Sequence, residues 1–131
     1  MATIFTRIIK GEIPCYKIAE NDAFFAFLDI NPVAPGHTLV IPKIEIDYLF
    51  DHADVTLSGI LPFAKTIARA IDQSLGCLRT GLLVEGLEVP HSHIHLIPIY
   101  HKGQHAALGN GSRMEKEKME EIAAKIRGAL A

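Results

Sequence analysis

Three histidines stand two residues apart in His91-Ser92-His93-Ile94-His95, and Leu96-Ile97-Pro98 follows them. Side chains alternate faces along a β-strand, so residues i, i+2 and i+4 point the same way. As a strand, this segment lines one face with three imidazoles and the other with Ser92, Ile94 and Leu96. On a helix the same residues fan out over more than half the circumference and no site forms. Val89, Ile94, Leu96 and Ile97 favour the strand. Imidazole titrates nearest neutrality and serves as nucleophile, acid, base or metal ligand.

Three readings compete for this row. Isolated surface histidines need no function, but a period-two row asks for an explanation. A metal site is the second reading, since histidines at i and i+2 can share one ion and neutral imidazole suits zinc, copper or iron. Such an ion usually takes a third or fourth ligand, often a carboxylate. Glu85 and Glu88 are near in sequence, but Glu88 shares the histidine face only if the strand runs through Pro90. No HxxxH, HxHxD or cysteine cluster is present. The third reading is nucleophilic or acid–base catalysis at phosphorus, with one imidazole attacking and its neighbours holding phosphate oxygens.

The elements that must position these groups can be read from periodicity. Residues 3–10 read as a short helix stopped by Gly11 and Pro14. Residues 16–20 and 23–29 form a hairpin about the turn signal Asn21-Asp22. A loop with Pro32, Pro35 and Gly36 leads into a third strand at 37–41. Apolar positions 57, 60, 61, 64, 67, 68, 71 and 75 have helical spacing, and Gly76 stops that helix. Pro62 predicts a kink there or two shorter helices. Residues 80–85 and 91–98 are two further strands, and 101–111 is a polar loop in which His101 and His105 read as surface residues. Ser112 and Glu115 make a capping box for a C-terminal helix whose apolar face carries Met119, Ile122, Ala123, Ile126 and Leu130. The expected class is α+β: an antiparallel sheet of about five strands, a central helix and a C-terminal helix.

Composition narrows the function. A chain of 131 residues suits one domain, 1–131, and 49% apolar with 21% charged residues marks a folded protein. The mean hydropathy of +0.22 points to apolar surface hidden in an oligomer. Net charge is −2 and no basic block or stripe occurs, which argues against duplex nucleic acid as partner. Cys15 and Cys77 form no CxxC and read as free thiols in a reducing compartment. Met1 to Phe5 do not open a secretory leader, and no apolar run reaches membrane-spanning length. A cytoplasmic protein is expected, with no membrane partner.

Four segments together carry a resemblance. Gly11-Glu12-Ile13-Pro14, Phe27-Leu28-Asp29-Ile30-Asn31-Pro32, Pro35-Gly36-His37-Thr38-Leu39-Val40-Ile41-Pro42-Lys43 and His91-Ser92-His93-Ile94-His95-Leu96-Ile97 occur in the order seen in histidine triad (HIT) proteins. The chain resembles that family from Ile4 through the C-terminal helix, with Ser92 at a usually apolar position. The resemblance implies the HIT-like α+β fold, a sheet that commonly continues across a homodimer, and purine nucleotides as ligands. It implies cleavage at the α-phosphorus of nucleoside phosphoramidates, dinucleoside polyphosphates or adenylated compounds, releasing a nucleoside monophosphate. No cofactor is implied.

In that resemblance His93 is the nucleophile and forms a nucleotidyl-histidine intermediate. It must be neutral to attack, and a neighbour accepting its other N–H, either His91 or a backbone carbonyl, fixes the tautomer. His95 donates to a phosphoryl oxygen, and His37 orients the triad or the phosphate. Donors of this kind contribute about 3 kcal/mol each to a transition state. Asp29 matches the acidic position that bonds ribose hydroxyls, a task suited to an acceptor-only group. Phe5, Ile8, Phe27, Ile30 and Leu39 match positions that sandwich the base, although plain core packing accounts for each equally well. Asp29 alternatively serves only the turn before Asn31-Pro32.

Two departures matter. Many members of the family hold zinc through two cysteines near the N-terminus, where Thr3 and Thr6 stand here, and no matching histidine occurs in Lys43-Ile44-Glu45-Ile46-Asp47. No structural zinc is therefore expected. The loop Leu83-Val84-Glu85-Gly86-Leu87-Glu88-Val89-Pro90 is short; Leu87 takes the usual glutamine position and Glu88 a position where some members place serine. Lost amide and hydroxyl donors weaken phosphate binding or leaving-group protonation, while Gly86 can still offer its backbone N–H to phosphate. A nucleotide-binding module with little turnover is the first alternative, and a metal-dependent hydrolase using the same histidines the second. Residues 99–112 are expected near the site.

Overall fold

The five strands share one antiparallel sheet, in the order β1-β2-β3-β5-β4. The structure, a computed structural model, describes residues 2–109 and 111–130; Met1, Asn110 and Ala131, the last two ending or interrupting expected loop and terminal segments, lie outside them. The strands are β1 (Lys17–Glu20), β2 (Phe24–Leu28), β3 (Thr38–Pro42), β4 (Arg79–Leu83) and β5 (Ile94–Ile99). Three helices, α1 (Ile4–Ile9), α2 (Asp54–Leu75) and α3 (Lys116–Ala129), complete the α+β arrangement.

Pairing divides the sheet into two faces of different use. Ala26, Val40 and Ile94 lie across one another in register on neighbouring strands. With Ile18, Phe24, Leu28 and Leu96 they pack against Ile60, Ala64, Ile67 and Ile71 of α2 and Met119, Ile122 and Ile126 of α3. One residue along each strand, Phe27, Leu39 and His95 align on the opposite face. There Phe5 and Ile8 of α1 cover Phe25, Phe27, Leu39 and Ile41 in a smaller cluster. Strands β2 and β3 are buried throughout, as their continuous apolar runs require.

Local chemistry accounts for most element ends. Thr3 caps α1 by accepting from the Thr6 backbone N–H at 3.2 Å. Asn21 closes the β1–β2 hairpin, its Oδ1 accepting from the backbones of Ala23 and Phe24 at 3.0 and 2.8 Å. Gly76 ends α2 in the left-handed region at φ 69°.

Three expectations need correction. Pro62 does not divide α2, which runs unbroken over 22 residues. Pro62 and Ser58 are both exposed, so the carbonyl that loses its donor faces water. Ser112 and Glu115 form no capping box: α3 begins at Lys116, with Glu115 at its N-cap and no side-chain cap bond. The preceding stretch instead runs against the Asn31–Pro32 loop, where Ser112 N–H donates to the Pro32 carbonyl. A Cβ at Gly111 would collide with the Asn31 carbonyl. Finally, β5 starts at Ile94, so His91 and His93 precede the strand and the three histidines do not form one row.

Gly36 sets the entry of β3, beside His37. Its φ is +95°, and a Cβ there would press on Leu75 and Pro98. Tyr100 holds the same turn, donating its hydroxyl to the Pro35 carbonyl at 2.5 Å. We expect Gly36→Ala to cost about 1–3 kcal/mol of stability. Urea unfolding would show this as a lowered midpoint at an unchanged slope.

Candidate active site

The site is assembled from hydrogen bonds whose donors can be assigned one by one. A carbonyl oxygen can only accept, so the contact of 2.8 Å between His93 Nδ1 and the His91 carbonyl makes Nδ1 the protonated nitrogen. Neutral His93 therefore carries its lone pair on Nε2. Its ring packs edge-on to Phe5 and to His95, with centroids 5.0 Å away in each case. Only 3% of the residue is exposed.

A second chain of bonds fixes His95. The Val33 backbone N–H donates to His37 Nδ1 at 3.2 Å. His37 Nε2 then holds the proton and donates to His95 Nδ1 at 2.9 Å. Neutral His95 is left with its N–H on Nε2, as a hydrogen-bond donor. Burial keeps both rings neutral: it pushes His95 down to about 3, helped by His37 and His93, and lowers His37 against the opposing pull of Asp29.

His91 does something other than line the site. Its ring is fully buried and turns away from the cavities around His93 and His95. Nε2 donates to the Pro42 carbonyl at 2.7 Å, so Nδ1 accepts from the Thr3 hydroxyl at 3.0 Å. Burial lowers the His91 ring below its ordinary range. Of the two acceptors expected for the His93 N–H, His91 or a backbone carbonyl, the one in place is the backbone carbonyl of His91.

Asp29 serves two purposes at once. Oδ1 accepts from the Asn31 backbone at 2.9 Å, the turn role. Oδ2 lies 3.7 Å from His37 Nε2, and the residue lines both cavities beside His95. The first, of about 190 Å³, brings together Phe5, Ile8, Phe27, Ile30 and Leu39 with His93 and His95. The second, of about 230 Å³, lies among His37, His95, Glu88 and residues 108, 109 and 111 of the long loop. His101 and His105 stay on the surface. Gly86 does not reach either cavity; it lines a larger apolar one of about 750 Å³ with Leu87 and Leu82, which also reaches His93. That cavity opens between α2 and β4 and offers few donors for a phosphate.

Two polar groupings were not legible in the sequence. His52 is 5% exposed and its Nε2 bonds Ser92 Oγ at 2.6 Å, while its Nδ1 is buried without a partner. Ser92 N–H donates to the Ile46 carbonyl at 2.7 Å, so the residue beside His93 is tied twice. The one hint was a serine where apolar residues are usual. The other grouping joins the Thr3 backbone and the Thr6 hydroxyl to Glu45 Oε1, at 2.8 and 2.6 Å, next to the Thr3–His91 bond.

These two groupings bear on metals. Thr3, Thr6, Glu45 and His91 meet where a zinc ion would need soft or imidazole ligands. The Thr6 hydroxyl and the Thr3 backbone N–H hold the Glu45 carboxylate and the Thr3 hydroxyl holds His91, so two hydroxyls stand where thiolates would be needed and do not fit that ion. Among the described residues, only Asp29, His37 and His95 come together with metal-capable atoms, all within 4.8 Å of one another.

The neutral His95 makes a pH prediction. Between about 6.5 and about 3 the unfolded chain binds a proton that folded His95 refuses. Stability therefore falls as pH drops through that window. Urea midpoints should be lower at about pH 5 than near neutrality, and His95→Gln should shrink the difference.

Comparison with known proteins agrees with this geometry. The sequence model of the HIT domain matches residues 10–102. A HIT-like protein of Borreliella burgdorferi is 37% identical over 131 aligned residues, covering 94% of each chain. An adenosine 5′-monophosphoramidase of Saccharomyces cerevisiae is 43% identical over 98 residues, 74% of this chain and 62% of its own length. The crystal structure of a zinc-bound histidine triad protein from Mycobacterium smegmatis superposes with a TM-score of 0.85 at 31% identity, covering 99% of this chain and 94% of that one. With its fold, its histidines and its sequence in agreement, this chain belongs to the HIT family, in which nucleotide hydrolases occur.

Proposed function

We propose that the chain, acting as one domain, cleaves purine nucleoside monophosphates from a leaving group through a covalent intermediate on His93. The observation that carries this reading is the bond from His93 Nδ1–H to the His91 carbonyl, which leaves the Nε2 lone pair for attack. In the first step His93 Nε2 bonds to the α-phosphorus as the bond to the leaving group breaks. Water then attacks the same phosphorus, the P–N bond breaks, and the nucleoside monophosphate departs. His95 Nε2–H supports charge on a phosphoryl oxygen in both steps, and its proton is held in place by His37.

The base packs among Phe5, Ile8, Phe27, Leu39 and Ile30 in this reading, and Asp29 Oδ2 accepts from the ribose hydroxyls. His37 and His95, held neutral by burial, suit a donor but not a charged clamp. Metal chemistry has one observation behind it, the Asp29–His37–His95 cluster. There His37 Nε2 and His95 Nδ1 already share a proton, which an ion would have to displace.

We also propose a homodimer in the cytoplasm. β4 is an edge strand, and it exposes Leu82, which lines one cavity with the exposed Leu61 and Phe50. An unpaired edge with apolar neighbours is a template for a second copy. Cys15 and Cys77 are free thiols, which fits a reducing compartment. None of the described helices is long and apolar enough to cross a membrane.

Three outcomes are expected. His93→Ala should lower turnover of an adenosine 5′-phosphoramidate by about 10³-fold or more, while calorimetry finds AMP binding within a few-fold of wild type. Wild-type turnover in that variant would remove His93 as nucleophile. Incubation with a chelator should leave turnover unchanged; a loss restored by zinc would favour the metal reading. Light scattering should find a dimer that Leu82→Lys converts to monomer.

A further inference from the structure

The two cavities beside His95 are short of positive charge. Neither is lined by a lysine or an arginine among the described residues, yet both are lined by Asp29 and Glu88. Burial holds His37 and His95 in their neutral forms, so they supply donors but no fixed charge. Asp29 is committed, with one oxygen in the turn and the other toward His37. Glu88 is exposed, has no ion-pair partner among the described residues, and faces the same space as His93 and His95.

We propose that Glu88 selects the leaving group, favouring substrates in which the nucleoside monophosphate is joined to an amine over those in which it is joined to a second anion. The inference rests on the hydrolase reading of the same site. A leaving sulfate or pyrophosphate carries negative charge that grows as its bond to phosphorus breaks. A nearby carboxylate opposes that growth, and no cation in the lining offsets it. An amine behaves in the opposite way. Its nitrogen first takes a proton from a hydronium ion of the solvent, leaving water, and becomes positive. His93 Nε2 forms its bond to phosphorus, and the P–N bond breaks with the electron pair remaining on nitrogen. The free amine then takes a second proton from solvent.

Glu88 can accept hydrogen bonds from the nitrogen's N–H groups at each of these stages, most strongly while the nitrogen is protonated, as carboxylates do from ammonium groups. His95 does not discriminate in this way, because it addresses phosphoryl oxygens common to both substrate classes. Glu88 is thus a specificity-determining residue, and the same carboxylate that cannot protonate an oxygen leaving group is suited to an amine.

The test compares kcat/KM for an adenosine 5′-phosphoramidate of a primary alkyl amine with that for adenylyl sulfate. Wild type should prefer the phosphoramidate. Glu88→Gln should narrow that preference about tenfold or more, slowing the amine substrate and speeding the sulfate, and Glu88→Asp should keep most of it. A preference unchanged in Glu88→Gln, or a wild type that prefers adenylyl sulfate, would overturn this inference and leave the hydrolase reading standing. No turnover of either compound by wild type would overturn both.

Discussion

A hydrogen bond of 2.8 Å from His93 Nδ1–H to the His91 carbonyl decides which ring nitrogen keeps a lone pair. That bond depends on the backbone at 91–93 being held still, and the neighbouring residues hold it at four points. His91 Nε2–H reaches the Pro42 carbonyl, Thr3 meets His91 Nδ1, Ser92 N–H reaches the Ile46 carbonyl, and Ser92 Oγ meets His52. The first histidine of the triad is in this sense a piece of scaffold. Thr3, which also caps α1, links the fixing of His91 to the helix that brings Phe5 and Ile8 over the sheet.

The division of the sheet follows the same logic. Its helical face is an ordinary apolar core and carries the stability. Its other face has a thinner cover of α1, and a cavity remains between that cover and Phe27, Leu39 and His95. Burying the imidazoles of His37, His91 and His95 is tolerable only because burial holds them in the neutral form and they are bonded: Val33 to His37 to His95 on one side, and Thr3 to His91 to Pro42 on the other. An uncompensated buried charge would cost far more. His52 Nδ1 is the exception, a buried nitrogen without a partner among the described residues.

Much of this was legible in the residues. Strand periodicity and turn signals placed the five strands and three helices near their observed bounds, most clearly for the continuous apolar runs of β2 and β3, while Pro62 wrongly suggested a break in α2. The same patterns misled where tertiary contacts prevail. A period-two row of histidines suggested a continuous strand, but the strand starts only at Ile94, after the backbone bends to give His93 a carbonyl from its own neighbour. Ser112 and Glu115 looked like a cap, yet the chain there is occupied in passing the Asn31–Pro32 loop. Residues such as Phe5, Leu39 and Asp29 were found by family resemblance, and the geometry brings them together. His52, Glu45 and the cavity role of Glu88 had no periodic signal, since each depends on contacts between segments about 40 or more residues apart or on a loop with no repeat.

The central claim is that His93 becomes covalently bonded to phosphorus. Quench-flow mass spectrometry of the wild-type protein mixed with an adenosine 5′-phosphoramidate addresses it directly. The account predicts a transient adduct of one nucleotidyl group, located on His93 and formed before AMP accumulates. AMP released with no adduct at any time, or an adduct on another residue, would contradict it.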